Sequence, residues 1–216
     1  MKYLLILILL TGCVEREYKT IYIIEDPVIE EVVVVPEEPV EDPKPKETIK
    51  KYIVAGQSNV GRCDWSYFED LTGSEIISAY ISGAGIDTLI NDTDYSKIEG
   101  VNARAILFVH GESDSYIGMD GETYIKKVKE YVEFLGGSDL YISTVGFHAT
   151  GKHEESFTHI RDSTINEAKI NDDWFIAFDE AKYFRSWGML VDDLHFSSDG
   201  CMMMMDAFAE QTYKEN

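Results

Sequence analysis

The chain has 216 residues, 27% charged side chains and a formal net charge of −21. The excess of 40 acidic over 19 basic side chains argues against nucleic acid or an anionic lipid surface as a binding partner. Residues 50–216 carry 29 acidic and 14 basic side chains, so this part is acidic as well, and it is long enough for one α/β domain with a well-packed core.

The first 13 residues combine a positive charge, an apolar run and a cysteine. Lys2 precedes a short apolar run, residues 3–10, that is too short to span a bilayer. The sequence Leu-Thr-Gly-Cys ending at Cys13 resembles a lipoprotein cleavage box, which predicts a mature chain held by a lipidated Cys13 at the cell envelope, in the periplasm or on the outer surface. This anchor is the only membrane contact expected. An ordinary secretory leader and a cytosolic chain with an apolar start are the alternatives.

Residues 14–49 are predicted to form an acidic tether. All five prolines of the chain lie here, interleaved with glutamate and aspartate. Such a composition cannot bury enough apolar surface to offset the entropy that is lost on ordering. We therefore expect an extended segment, although the strand-prone runs 21–24 and 32–35 leave open an edge strand docked on the domain.

The remaining residues, 50–216, alternate between strand and helix patterns. Strands are predicted near residues 52–55, 76–81, 105–109, 140–145 and 174–178, and helices over 123–135, over 156–168 and from residue 202. The third strand is continuously apolar, as a buried parallel strand should be. The alternation predicts a three-layer α/β/α sandwich with a mostly parallel five-stranded sheet, and active sites in such folds lie at the carboxyl ends of the strands.

The sequence Gly56-Gln57-Ser58-Asn59 ends the first predicted strand at a turn into a helix. A helix N-terminus offers unpaired N–H groups and a positive dipole end, which suit a nucleophile and a developing oxyanion. Ser58 is therefore a candidate nucleophile, and the alternative is that it only caps the helix. Asn59 is interpreted as a helix cap rather than as a substrate ligand.

Asp192 and His195 precede the last predicted helix. A serine hydroxyl needs a base to take its proton, and His195 is the candidate. Asp192 lies close enough in the chain to reach the Nδ1–H of His195 and fix its tautomer. Candidates for the oxyanion hole are the Ser58 N–H, a backbone N–H between Gly83 and Gly85, and a polar side chain from the loop after the third strand.

That third loop reads His-Gly-Glu-Ser-Asp over residues 110–114. With Gly-Gln-Ser-Asn and the Asp-x-x-His spacing, it resembles the SGNH/GDSL hydrolase superfamily, and within it the carbohydrate acetylesterase branch of sialate O-acetylesterase-like and acetylxylan esterase-like proteins. The resemblance covers residues 52–200. It implies a flavodoxin-like sandwich and a serine esterase that acts on an acetylated carbohydrate through an acetyl-enzyme, with Ser58, His195 and Asp192 as the catalytic triad and with no metal or organic cofactor.

The chain departs from the family pattern at several positions. His110 stands where the family has a glutamine associated with the oxyanion hole, and we expect a neutral His110 to donate there instead. Gly83 and Gly85 match the family's second block only approximately. Glu112 is an alternative triad acid, although a structural role fits it better. These departures leave open a catalytically weak surface module that binds glycans or other partners, and also a lipid esterase or thioesterase.

Cys63 and Cys201 are the cysteines that remain besides Cys13. Outside the cytoplasm an even pair suggests a disulfide. Cys63 follows Ser58 by five residues and Cys201 follows His195 by six, so the two cysteines should be close together if Ser58 and His195 meet. Two buried free thiols are the alternative.

Overall fold

The computed structural model describes residues 49–137 and 139–214. The predicted leader, its lipidation site Cys13 and residues 14–48 of the predicted tether lie outside the described residues. None of the helices in the described part of the chain combines the length and the hydropathy needed to cross a bilayer.

A five-stranded parallel sheet forms the centre of the fold. Its strands are β1 (Lys51–Gly56), β2 (Glu75–Tyr80), β3 (Ala105–Val109), β4 (Asp139–Ser143) and β5 (Trp174–Phe178). They lie in the order β2-β1-β3-β4-β5, and every neighbouring pair is parallel. The predicted α/β class and strand set are confirmed, and the central strand β3 is buried along its whole length.

Helices cover both faces of this sheet. The helices are α1 (Ser58–Arg62), α2 (Ser66–Thr72), α3 (Ile86–Asp92), α4 (Glu112–Tyr116), α5 (Gly121–Phe134), α6 (Glu154–Ala168), α7 (Phe184–Trp187) and α8 (Ser198–Lys214). Short 3-10 helices span Tyr95–Lys97 and Glu180–Tyr183. The last helix begins at Ser198 rather than at residue 202. The prediction missed its first turn because that turn is polar, contains a glycine and therefore carries no apolar periodicity.

Alternate residues of β1 enter two separate hydrophobic clusters. Ile53 and Ala55 pack into the cluster that includes residues of α3, α5 and α6. Tyr52 and Val54 pack into the cluster that includes residues of α1, α2, α7 and α8. A strand places successive side chains on opposite faces, so the sheet is buried on both sides and the predicted three layers result. All loops at the carboxyl ends of the parallel strands therefore emerge at one edge.

A disulfide joins Cys63 to Cys201, with their Cα atoms 5.4 Å apart. Cys63 follows the end of α1 directly, and Cys201 lies in the first turn of α8. The pairing raised by the sequence is thus present in the structure, and it links the helix that begins at Ser58 to the helix that follows His195.

Strand β1 ends at a glycine that the fold requires. Gly56 has φ +143°, and a Cβ placed there would lie 1.9 Å from the carbonyl oxygen of Val109. The next residue, Gln57, donates its N–H to that same carbonyl at 3.2 Å. Only a residue without a Cβ allows β1 to turn this tightly against β3, and the turn brings Ser58 to the carboxyl edge of the sheet.

The Gly56→Ala substitution should lower the free energy of unfolding by about 3 kcal/mol or more, because the new methyl group collides with backbone in a conformation that alanine rarely adopts. Urea unfolding followed by circular dichroism measures the loss. Gly73→Ala is the control: Gly73 also has a positive φ, +64°, but a Cβ there meets open space. Its cost should be about 1–2 kcal/mol, and equal losses in the two variants would contradict the steric explanation.

Replacing both Cys63 and Cys201 with alanine should lower the free energy of unfolding by about 3–5 kcal/mol, since the disulfide closes a long loop and restricts the unfolded chain. The sequence separation that it spans is 138 residues. Denaturant unfolding of the double variant, compared with oxidised wild type, checks this value. Reduced wild type should unfold like the double variant. A double variant as stable as oxidised wild type would refute the prediction.

Candidate active site

Ser58, His195 and Asp192 form a continuous hydrogen-bonded chain. The Oγ of Ser58 lies 2.9 Å from Nε2 of His195, although 137 residues separate the two in sequence. The other ring nitrogen, Nδ1, lies 2.8 Å from Oδ2 of Asp192. The structure therefore brings together the three residues that the sequence motifs proposed as a triad.

Ser58 is the first residue of α1, and the N-cap position belongs to Gln57, which makes no side-chain capping bond. The alternative that Ser58 serves only as a helix cap is therefore not supported. The side chain of Gln57 instead accepts a hydrogen bond from the backbone N–H of Ser113 at 3.3 Å. That contact ties the start of α1 to α4, which follows β3.

The loop that carries His195 is held in shape by its own hydrogen bonds. Oδ1 of Asp192 accepts the N–H groups of Leu194 at 2.9 Å and His195 at 2.8 Å. A further bond closes the loop, in which Val191 donates its N–H to the carbonyl of His195 at 2.9 Å. Both oxygens of Asp192 therefore act at once: one fixes the loop backbone, and the other faces the imidazole.

Asp192 is suited to remain ionised. Its partial burial alone would raise its pKa, but the N–H groups of His195 and Leu194 and the imidazole of His195 outweigh that effect and lower the pKa of Asp192 to about 2. A carboxylate at this place accepts the Nδ1–H of His195, and Nε2 is then the nitrogen without a proton. This tautomer, assigned from the hydrogen-bond network, leaves Nε2 ready to accept the proton of Ser58.

Glu112, the alternative acid, has a different partner. Its Oε1 accepts a hydrogen bond from Nδ2 of Asn59 at 2.6 Å, whereas Asp192 is the carboxylate bonded to Nδ1 of His195. The geometry thus favours Asp192 as the acid of the triad.

Asn59 does not cap α1, contrary to the interpretation from sequence. Its Oδ1 accepts the N–H of Phe196 at 3.0 Å, and its Nδ2 donates to Glu112. One amide thereby links three loops: those after β1 and β3, and the one before α8. Sequence reasoning missed this role because no local pattern indicates partners that lie 137 and 53 residues away.

The loop after β2 supplies backbone groups at the same edge of the sheet. Ser113 on α4 donates its hydroxyl to the carbonyl of Gly83 at 3.1 Å, which fixes the position of the loop. Within residues 49–137 and 139–214, the N–H groups of Ser58, Gly83 and Gly85 donate to no protein acceptor. Backbone N–H groups without a protein acceptor are the kind of donor from which an oxyanion hole is built.

His110 differs from the expectation that it supplies a donor to the oxyanion hole. Its Nε2 lies 3.1 Å from the carbonyl oxygen of Ala84, and its Nδ1 lies 3.2 Å from the hydroxyl of Tyr124. Burial lowers the pKa of His110 to about 4, although the Ala84 carbonyl favours the protonated form. A neutral ring then donates from Nε2 to Ala84 and accepts from Tyr124, so both nitrogens are used inside the protein. His110 anchors the loop of residues 82–85 instead of facing a substrate.

Asp114 belongs to the same buried cluster of polar side chains as His110 and Tyr124. One of its oxygens lies 3.6 Å from Nδ1 of His110, and both of its oxygens accept the N–H of Ile86 at 3.1 Å. Burial raises the pKa of Asp114 to about 6, although the Ile86 N–H favours the ionised form. Burial therefore shifts the two pKa values in opposite directions, and both shifts favour uncharged side chains.

Comparison with known proteins rests on structure alone. No family model matches the sequence, and no curated protein matches it. A GDSL-like lipase from Bacteroides thetaiotaomicron has a TM-score of 0.62 and 14% identity, with 77% of this chain and 89% of that chain covered. A carbohydrate esterase of family 3 from Talaromyces cellulolyticus has a TM-score of 0.57 and 10% identity, with 77% and 97% covered.

A variant of an acetyl-xylooligosaccharide esterase from a Geobacillus species is also similar, with a TM-score of 0.55, 13% identity, and 75% of this chain and 93% of that chain covered. At such low identity these likenesses show the fold. That fold, an α/β/α sandwich around a five-stranded parallel sheet, is the one predicted from the sequence.

The paired burial of His110 and Asp114 predicts opposite pH effects of two substitutions. The pKa of His110 falls from its usual 6.5 to about 4, so the stability that neutral His110 provides is present above pH 6.5 and lost as the pH falls towards 4. The pKa of Asp114 rises from 3.8 to about 6, so the stability of its protonated form is present below pH 3.8 and lost as the pH rises towards 6.

In wild type these two effects oppose each other between about pH 4 and 6. His110→Gln should therefore become less stable, relative to wild type, as the pH rises through that range, and Asp114→Asn should become less stable as it falls. Urea unfolding at several pH values measures the free energies. If plots of the unfolding free energy against pH stay parallel for all three proteins, the predicted titration of His110 and Asp114 is wrong.

Proposed function

We propose that this chain, which has the fold of SGNH and GDSL hydrolases, is a serine esterase that removes O-acetyl groups from a carbohydrate. The observation that carries the proposal is the hydrogen-bonded chain from Ser58 through His195 to Asp192 at the carboxyl edge of the sheet. Ser58 acts as the nucleophile, His195 as the general base and acid, and Asp192 as the group that orients and stabilises the imidazolium.

The reaction would proceed in two steps. In the first, Oγ of Ser58 attacks the ester carbonyl carbon while Nε2 of His195 takes its proton, and the oxyanion faces the N–H of Ser58 and an N–H of Gly83 or Gly85. The tetrahedral intermediate collapses to acetyl-Ser58, and His195 gives its proton to the departing sugar oxygen. In the second, water attacks the acetyl group with His195 again as base, acetate leaves and Ser58 is restored. Each oxyanion donor of this kind typically contributes about 10²–10³ in turnover.

Two observations support a carbohydrate as the substrate. Two of the structural neighbours are themselves described as a carbohydrate esterase and an acetyl-xylooligosaccharide esterase. In addition, Tyr183 and Trp187 are exposed, with ring centroids 5.1 Å apart, on the segment that leads to the His195 loop. Exposed aromatic rings have an apolar face that a sugar ring can cover. The acidity of residues 50–216 disfavours a strongly anionic polymer.

The disulfide supports a location in an oxidising compartment outside the cytoplasm. It agrees with the envelope location expected from the lipoprotein-like sequence that ends at Cys13. A lipid-anchored esterase would meet extracellular or envelope glycans there.

A binding module without turnover is the second candidate, because His110 is buried and the oxyanion site is left with backbone donors. Labelling with a fluorophosphonate discriminates the two, since this reagent captures only an activated serine. Labelling of Ser58 supports the esterase, and folded protein that stays unlabelled supports the binding module.

Ser58→Ala should reduce kcat for p-nitrophenyl acetate by about 10⁴-fold or more and abolish fluorophosphonate labelling, since the nucleophile is lost. Ser186→Ala is the control, because this exposed serine on α7 donates its hydroxyl to the carbonyl of Tyr183 and, among the described residues, makes no other side-chain hydrogen bond. It should retain wild-type turnover. A folded Ser58→Ala protein with wild-type turnover would disprove the mechanism. Acetate release from acetylated xylo-oligosaccharides, compared with hydrolysis of long-chain p-nitrophenyl esters, separates a carbohydrate esterase from a lipid esterase.

A further inference from the structure

We infer that Asn59 and Glu112 together are positioning residues for His195, holding its loop against the helix that begins at Ser58. The inference rests on the proposed function for its kinetic consequences, but the contacts that support it are independent of any substrate. Asn59 is 0% exposed and Glu112 is 2% exposed, so both side chains lie in the protein interior.

The contacts of Asn59 lie one residue away from both reacting groups. Asn59 follows Ser58 directly, and the N–H that it accepts belongs to Phe196, which follows His195 directly. This bond therefore runs beside the bond between Ser58 and His195 and joins the same two segments. A rotation of the His195 loop that lengthened one bond would lengthen the other. The buried bond from Phe196 to Asn59 keeps Nε2 of His195 within reach of Oγ of Ser58 when the bond between those two atoms is broken during turnover.

Glu112 sets the direction of the amide. Its Oε1 accepts from Nδ2 of Asn59 at 2.6 Å, so the NH₂ group faces Glu112 and the oxygen faces the Phe196 N–H. A flipped amide would place two donors against each other at Phe196 and two acceptors against each other at Glu112. The carboxyl group thus selects the one orientation in which Asn59 can hold the loop.

The other oxygen of Glu112 points to a role besides stability. Oε2 is buried and has no hydrogen-bond partner among the described residues. Burial raises the pKa of Glu112, while hydrogen bonds from its own backbone N–H and from Asn59 lower it. A buried oxygen without a partner costs stability, so the packing of the core alone does not account for a carboxyl group here. Its electrostatic interaction with His195 and its bond to Asn59 both connect it to the base.

The inference can be tested by reversing which of residues 59 and 112 donates the hydrogen bond between them. Asn59→Asp still accepts from Phe196 but places a second carboxylate against Glu112, so the loop should shift. We expect kcat for p-nitrophenyl acetate to fall about 10²-fold with KM changed less than about twofold, as misplacement of a catalytic group does. The double variant Asn59→Asp/Glu112→Gln restores one donor and one acceptor with their positions reversed. It should recover kcat to within about tenfold of wild type.

Asn91→Asp is the matched control, because Asn91 is exposed on α3 and its side-chain amide, in the part of the chain that the structure describes, donates only to the carbonyl of Asp87. It should leave kcat unchanged. Thermal unfolding of every variant confirms that the folded state is the species measured. A folded Asn59→Asp protein with wild-type kcat would overturn the inference, and so would a folded double variant as impaired as the single one.

A readout that needs no substrate separates this inference from the proposed function. Hydrogen exchange of the Phe196 amide, followed by NMR, should be slow in wild type and in the double variant and faster in Asn59→Asp, because the loop is then no longer held against the helix that begins at Ser58. Wild type with a slowly exchanging Phe196 amide that neither hydrolyses esters nor reacts with the fluorophosphonate would refute the proposed esterase and leave the positioning role supported. A Phe196 amide that exchanges as slowly in Asn59→Asp as in wild type would refute the positioning role, whatever the activity.

Discussion

The hydrogen bond between Ser58 and His195 depends on one constraint: two segments 137 residues apart must meet at a single edge of the sheet. Parallel strands satisfy it, because all their carboxyl ends lie on one side. Within that arrangement Gly56 allows β1 to end in a tight turn against Val109, and the turn places Ser58. The disulfide then joins the end of α1 to the first turn of α8, and the Asn59 amide joins the start of α1 to the loop before α8.

The buried polar side chains near Ser58 and His195 are arranged in two sets. One set, Asn59 with Glu112, faces the side of the base. The other, His110 with Asp114, faces the loop after β2, whose carbonyl at Ala84 and N–H at Ile86 it binds. Each set uses side chains from the segment after β3, the central strand of the sheet, which includes the first turn of α4. That segment contributes no proposed reacting group, yet it is bonded both to Asn59, the residue after the proposed nucleophile, and to the backbone that is proposed to bind an oxyanion.

The strands, the layer architecture and the position of the candidate nucleophile followed from local pattern. Apolar runs marked the strands, and the central strand was recognisable because it is apolar throughout. Helices of one or two turns, such as α1 and α4, were beyond reach of periodicity because they are too short to show it. The roles of Asn59 and His110 were misjudged for another reason. Each is decided by which distant groups lie within 3.2 Å of its two polar atoms, and no spacing in the sequence encodes that.

The placement of the two reacting groups at opposite ends of the domain also bears on its biosynthesis. A ribosome that makes this chain releases the strand that leads to Ser58 well before the imidazole of residue 195, so a nascent fragment that stops short of residue 195 holds only one of the two. Contacts of such long range close late in folding and slow it. Any hydrolytic chemistry is therefore withheld until the whole domain has assembled, and catalytic turnover would serve as a direct gauge of complete maturation.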